Sequence, residues 1–268
     1  MTLVTNNSYR KTVALITGGG TGVGAATARM LSERGFAVAL NYSRSAAAAE
    51  ATAEDCRRLG GDAIAIKGDV ASDADCLRMV ATVAETFGGV DLLVNSAGIT
   101  QITKFSDLSL QNAEDFLRVY GVNVVGAYQM ARAAHPHLKA SGRGSIVNIS
   151  SVAGQTGSGS SIAYTLSKGA LNTLTLTLAR LFAPEVRVNA ILPGMIDTNW
   201  FTGNGVDEDA FDLMRQRFSD ASALGTITTA EDIADAVVHI GVEATKVTGQ
   251  FLTVDAGFLL GKPPQASE

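Results

Sequence analysis

The sequence predicts an α/β protein of one domain, a doubly wound parallel sheet of about seven strands with helices on both faces. Three observations carry this. Apolar runs of strand length alternate with helix-forming segments along almost the whole chain. A glycine-rich turn, Thr17-Gly18-Gly19-Gly20-Thr21-Gly22-Val23-Gly24, joins the first of those strands to the first helix. No Pro/Ser/Gly-rich linker and no internal repeat divides the 268 residues, so residues 1–268 read as a single dinucleotide-binding and catalytic domain.

The elements follow in order. Thr12-Val13-Ala14-Leu15-Ile16 is a continuous apolar run, the mark of a strand buried on both faces, and predicts a strand over 12–17. The same reasoning predicts strands over 36–42, 62–67, 90–94, 144–149, 186–191 and 250–254. Between them lie helical stretches at 22–34, 45–59, 73–87, 107–139 (read as two helices), 161–182 and 230–241. Parallel strands need crossover helices, which accounts for the alternation. The pattern pauses over 195–225, an excursion holding Trp200, Phe201 and a short amphipathic stretch from Phe211 to Phe218, expected to be a substrate-binding lid.

Composition narrows the function. Hydrophobic residues make up 46% and charged residues 18%, enough apolar side chain for a large core. A net charge of -5 gives no electrostatic footprint for nucleic acid. No apolar run reaches membrane-spanning length, and the first eleven residues have no signal-peptide core, so a soluble cytoplasmic protein is expected. Cys56 and Cys76 lie in helical segments without metal-ligand neighbours and read as buried or half-buried thiols of a reducing compartment. His135, His137 and His239 also lack a ligand pattern, and no metal is expected; His135-Pro136-His137 reads as surface or capping histidines.

Two motifs carry chemistry. In the glycine turn, backbone amides at the start of the following helix face an anion, and the missing Cβ atoms let a pyrophosphate approach. Far downstream, Tyr164 and Lys168 stand four residues apart in a helical segment and so share a face. A phenol titrates near pH 10, and a neighbouring ammonium together with the charge of an oxidised nicotinamide is expected to lower it toward neutrality. Ser151 precedes Tyr164 by 13 residues, just past the strand Ile146-Val147-Asn148-Ile149, where a carboxyl-end loop can present its hydroxyl to a substrate oxygen.

These motifs together resemble the short-chain dehydrogenase/reductase family, in the branch of about 250 residues that includes the 3-oxoacyl-carrier-protein reductases. The similarity spans roughly residues 10–258. Thr17 to Gly24 fits the family's Thr-Gly-x-x-x-Gly-x-Gly turn, and Asn95-Ser96-Ala97-Gly98 fits its Asn-Asn-Ala-Gly segment with one serine departure. The resemblance implies a Rossmann-type fold and a catalytic tetrad of Asn123, Ser151, Tyr164 and Lys168. By it, Tyr164 exchanges the proton and Ser151 holds the substrate oxygen. Lys168 lowers the tyrosine's pKa and binds the nicotinamide ribose, and Asn123 helps position a relay water. Read without the family, Asn123 could cap or kink its helix and Ser151 could satisfy a loop amide.

The resemblance also assigns cofactor contacts to Gly18, Gly20, Thr21, Gly22, Val23 and Gly24 of the turn, and to Asn95, Ala97 and Gly98. In Pro193-Gly194-Met195-Ile196-Asp197-Thr198 it places Pro193, Gly194, the Ile196 backbone and the Thr198 hydroxyl near the nicotinamide carboxamide. Asp69 and Val70 match its adenine-contacting pair; alone, Asp69 reads as a cap or turn residue. An acidic residue at the end of the second strand repels a 2′-phosphate and a basic one attracts it. Here Asn41-Tyr42-Ser43-Arg44-Ser45 sets Tyr42 at the acidic position with Ser43 and Arg44 beside it, which favours NADP(H), with NAD the other candidate.

The expected substrate is a ketone or aldehyde, or the corresponding alcohol. Thr100 to Ile102, Val152 to Gln155 and 195–218 should face it, with Ile102, Val152, Met195, Trp200, Phe201 and Met214 as an apolar pocket or, equally, lid core. The acidic run Asp207-Glu208-Asp209 would sit poorly beside an acidic acyl carrier, which ranks a 3-oxoacyl-carrier-protein reductase below an enzyme for small free carbonyl compounds. The rival from another class is an NADP(H)-binding sensor without catalysis, against which the intact tetrad counts. Relatives of this kind commonly form homotetramers, and apolar faces in 107–139 and 161–182 suit a homo-oligomer.

Overall fold

A computed structural model describes residues 10–262. The first half alternates strictly: β1 (Val13–Thr17), α1 (Gly22–Glu33), β2 (Ala37–Tyr42), α2 (Ala46–Arg58), β3 (Asp62–Lys67), α3 (Asp73–Phe87) and β4 (Leu92–Asn95). Then come α4 (Ala113–Tyr120), a π-helical turn at Gly121–Gly126, α5 (Ala127–Ala140), β5 (Gly144–Ile149), α6 (Ala153–Thr156), α7 (Ile162–Phe182) and β6 (Val186–Pro193). The chain closes with β7 (Ile196–Asp197), α8 (Glu208–Ala221), β8 (Thr228–Thr229), α9 (Ala230–Val238) and β9 (Phe251–Val254).

Seven strands form one sheet in the order β3-β2-β1-β4-β5-β6-β9, every pair parallel. Alternation along β1 divides the core in two: Val13 and Leu15 join Val80, Val83, Met130 and Leu138 on one face, while Ala14 and Ile16 join Leu31, Cys56, Ile233 and Val237 on the other. Helices α3, α5 and α7 cover the first face and α1, α2 and α9 the second, as the unbroken apolar strands require. Strand order reverses between β1 and β4, where Thr17 stands opposite Asn95, so their carboxyl ends open the crevice in which such sheets bind ligands.

The expected strands and helices all occur, most with ends within two residues of those expected, and three segments differ further. The helix expected from 107 begins at Ala113, because Asn112 and Asp115 form a reciprocal capping box there, and Leu108–Leu110 makes only a short 3₁₀ turn. The last helix stops at Val238 and runs on as a π-turn to Glu243. The excursion over 195–225 contains α8, longer than the amphipathic stretch around Phe211 to Phe218, because Asp207 caps it by accepting from the Ala210 amide at 2.8 Å. The acidic run is thus a helix start, with Glu208 and Asp209 in the first turn opposing the macrodipole.

Candidate active site

The glycine turn is closed by contacts that admit no side chain. A Cβ on Gly24 would lie 2.4 Å from the Gly18 carbonyl oxygen, and one on Gly20 would lie 2.9 Å from the Ala49 amide. Gly18 has φ +64°, the left-handed region that glycine enters freely. Thr21 caps α1 in extended conformation, and its side chain accepts no bond from the first helix amides, which leaves those amides without a side-chain cap. Thr17 sews β1 to β4: its Oγ1 accepts from the amides of Ser96 at 3.1 Å and Ala97 at 3.0 Å. The set has the form of an anion cradle, a helix start without a side-chain cap and with no Cβ in the way, and can take a phosphate group.

At the other end of the crevice Tyr42 is half-buried, and Ser43 and Arg44 are exposed after β2. Asp69 is exposed and Val70 buried. Asp69 Oδ1 takes the Ala71 amide at 2.9 Å, so the turn role read from the residue alone is present; Ser72, not Asp69, caps α3. Buried Asn41 was not among the expected site residues. Its Oδ1 accepts from the Gly18 amide at 3.4 Å and its Nδ2 donates to the Gly68 carbonyl at 2.8 Å, tying the glycine turn to the loop after β3. A polar residue inside an otherwise apolar strand was the signal that could have found it.

The tetrad residues come from three segments. The π-turn carries Asn123, whose side chain is saturated: Oδ1 accepts from the Ile99 amide at 2.8 Å, and Nδ2 donates to the Ile99 carbonyl and to Ser167 Oγ, both at 3.0 Å. Ser167, in turn, donates to the Tyr164 carbonyl at 2.7 Å, fixing Asn123 against α7. Ser151 follows β5 and accepts from the Ala153 amide at 3.1 Å, so its hydroxyl does satisfy a backbone amide, at the start of α6. The start of α7 is set by Ser161, whose Oγ accepts from the Tyr164 amide at 3.2 Å. Lys168, one helical turn on, is buried and donates from Nζ to the Ile149 carbonyl at 2.8 Å.

Burial sets the charges. It raises the Tyr164 phenol to about 12, against a smaller lowering by the Ser151 hydrogen bond. The same desolvation lowers the Lys168 ammonium to about 8. The expected lowering of Tyr164 by Lys168 is therefore not what the chain by itself displays. Nζ sits 5.4 Å from the centroid of the tyrosine ring and is engaged with a carbonyl, so desolvation of the phenolate outweighs it.

Gly98 lies at the centre of this cluster: a Cβ there would be 3.5 Å from Asn123 Oδ1 and 3.8 Å from Lys168 Nζ. Asn95, below it, donates from Nδ2 to Asn148 Oδ1 at 2.9 Å in a buried chain that continues to Thr175. Pro193 and Gly194 are held by the Val152 amide, which donates to the Pro193 carbonyl, and by the Val254 carbonyl, which accepts from Gly194, both at 3.0 Å. Ile196 and Thr198 are half-buried, with Thr198 Cγ2 3.7 Å from where a Gly22 Cβ would be, so this loop lies over the glycine turn. Of the apolar pocket candidates, Trp200 stands beside Tyr164, ring centroids 6.1 Å apart, while Phe201 stacks on Phe211 within the 195–225 excursion. Both cysteines are buried, and burial pushes the Cys76 thiol to about 12, the behaviour of structural thiols.

A strand-glycine-helix cradle beside a Ser, Tyr, Lys and Asn cluster at the switch point defines a nucleotide-dependent oxidoreductase. The model of the short chain dehydrogenase family matches residues 12–209, and the chain belongs to that family. It is 40% identical over 245 residues to a protein assigned as ketoacyl reductase 2 of the granaticin polyketide synthase in Streptomyces violaceoruber, covering 91% of this chain and 95% of that one. It is also 36% identical to a 7alpha-hydroxysteroid dehydrogenase of Clostridium sardiniense, with 94% of each chain covered. A crystal structure assigned to the same family, from Burkholderia xenovorans, superposes with a TM-score of 0.86 at 38% identity over 94% of this chain and 99% of that one. The protein is thus an enzyme of this family, acting between an alcohol and a ketone, and the family uses NAD(P). No helix among the described residues is long and apolar enough to cross a membrane.

Proposed function

We propose that the protein is an NADP(H)-dependent carbonyl reductase and alcohol dehydrogenase for small free ketones or aldehydes, with Tyr164 as the acid/base. The observation that carries this is the convergence of Ser151, Tyr164 and Lys168 beside Gly98, within a crevice whose other end is the glycine cradle. When bound, the nicotinamide supplies or takes the hydride. The residues do the rest. Ser151 and Tyr164 hold the carbonyl oxygen, and neutral Tyr164 gives its phenolic proton to that oxygen as hydride reaches the carbon. Lys168 stabilises the resulting phenolate and holds the nicotinamide ribose. Asn123, its side chain fully bonded within the fold, shapes the helix bend from which its backbone can bind a relay water.

NADP(H) is favoured because Tyr42 stands where an acid would repel a 2′-phosphate, and exposed Ser43 and Arg44 are free to reach one. The other cofactor contacts are Gly18, Gly20, Thr21, Gly22, Val23 and Gly24 of the turn, Asp69 and Val70, Asn95, Ala97 and Gly98, Tyr164 and Lys168, and Pro193, Gly194, Ile196 and Thr198. A homo-oligomer, a tetramer on the family's pattern, is supported by exposed Leu117, Tyr120, Tyr128, Leu166 and Leu176 on α4, α5 and α7. Two buried free cysteines suit a cytoplasmic setting. The test is NADPH consumption over a panel of ketones, aldehydes and 3-oxoacyl thioesters with wild type and Tyr164→Phe. The variant should keep cofactor binding and lose about 10²–10⁴-fold in kcat. Equal turnover by the variant would remove Tyr164 from the acid/base role, and no turnover by wild type that binds the cofactor would favour the sensor.

A further inference from the structure

We propose that Trp200 is the residue that sets substrate size, restricting the site to compact open-chain ketones with at least one small substituent on the carbonyl. The inference rests on the reductase reading and adds a substrate class to it. The far edge of the indole, Cη2, lies 3.8 Å from where a Cβ of Gly98 would be, and the ring is tilted by 53° against Tyr164. The side chain therefore bridges from the loop after β4 to Tyr164 on α7. The ring thus stands at van der Waals distance from the chain at position 98.

The backbone beneath the ring is held at several points. The Trp200 amide donates to Thr198 Oγ1 at 3.4 Å, its carbonyl accepts from Asn204 Nδ2 at 2.7 Å, and the next residue, Phe201, is stacked on Phe211 at 5.8 Å. These contacts fix the backbone from which the indole projects, and the ring set there beside Tyr164 acts as a wall. A carbonyl group reaches Tyr164 between that wall and the Ser151–Val152 side. A flat or slender substituent passes and a branched or diaryl one does not. The pocket thus discriminates by exclusion, and removal of the wall should relax it.

The test compares kcat/KM for ethyl 3-oxobutanoate and for benzophenone in wild type, Trp200→Phe and Trp200→Ala. The ratio of the bulky to the compact ketone should rise at least tenfold in Trp200→Ala and by less in Trp200→Phe. A ratio within twofold of wild type, in enzyme that still turns over the compact ketone, removes Trp200 from this role and leaves the reductase reading intact. Wild type that reduces neither ketone nor any other carbonyl compound sinks both together. A second measurement needs no variant, because Trp200 is the only tryptophan of the chain. With NADP⁺ present, so that no hydride is available, ethyl 3-oxobutanoate should change the indole emission saturably. Emission that stays constant up to concentrations well above its KM overturns the placement.

Discussion

Lys168 lies against the ring of Tyr164, its Nζ 5.4 Å from the centroid, and donates to the Ile149 carbonyl at 2.8 Å. Lys168 is buried and Tyr164 half-buried, and each is displaced toward its uncharged form, the phenol to about 12 and the ammonium to about 8. At neutral pH the tyrosine is an intact acid and the lysine still carries its proton. That is the starting state a carbonyl reduction needs, since the proton has to leave the phenol and the charge left behind has to be met.

Replacing Lys168 by Met should cost activity and gain stability. The folded-state pKa of about 8 is below the ordinary 10.5, so the unfolded chain binds more protons between these values and wild-type stability rises with pH there. Below about pH 8 the whole penalty of a buried ammonium is present. Met removes it, less the lost Ile149 bond, for a gain on the order of 1–3 kcal/mol at pH 7 that shrinks between pH 8 and 10.5. Calorimetry at pH 7, 9 and 10.5 reads the gap in Tm. The same protonation should show kinetically: kcat/KM with the cofactor as varied substrate, which reports the free enzyme, should fall above about pH 8 in wild type.

Asn41→Leu should weaken the cofactor and spare the chemistry. The change strips an acceptor from the Gly18 amide and a donor from the Gly68 carbonyl, the two loops that frame the crevice. A buried polar group left unpaired costs about 1–3 kcal/mol, so NADPH affinity should drop by roughly tenfold or more with kcat little changed. Titration of NADPH fluorescence alongside steady-state kinetics separates the two. A fall in kcat at unchanged cofactor affinity would show that Asn41 acts elsewhere.

What was legible in the chain was what is local. The glycine turn and the Tyr164–Lys168 spacing announce themselves within a few residues, and continuous apolar strands announce a sheet covered on both faces. What escaped depends on distant partners. Asn41 looks like one polar residue in a strand until Gly68 is brought beside it. The π-turn around Asn123 has no marker of its own, and two-residue β7 and β8 are too short for any periodicity. The spacing of Tyr164 and Lys168 revealed that they meet. It did not reveal that both would be desolvated, and that decides the direction in which the phenol moves.

Gly24→Ala tests the cradle itself. The added methyl carbon would stand 2.4 Å from the Gly18 carbonyl oxygen and 2.9 Å from Gly19 Cα. Both are backbone atoms of the same turn, so no side chain can swing away, and the turn must open to admit it. Alanine is otherwise the better helix former by up to about 1 kcal/mol, a gain the clash overrides. The expected result is a lower Tm together with NADPH binding weakened by about tenfold or more, since the helix-start amides lose their common aim. Gly203→Ala is the control: nothing lies within 4 Å of its Cβ position, and thermal stability should stay within about 0.5 kcal/mol of wild type. Equal behaviour of the two variants in calorimetry and in NADPH titration would mean that the turn is looser than its contacts indicate, and that the phosphate site does not depend on the closeness of Gly18 and Gly24.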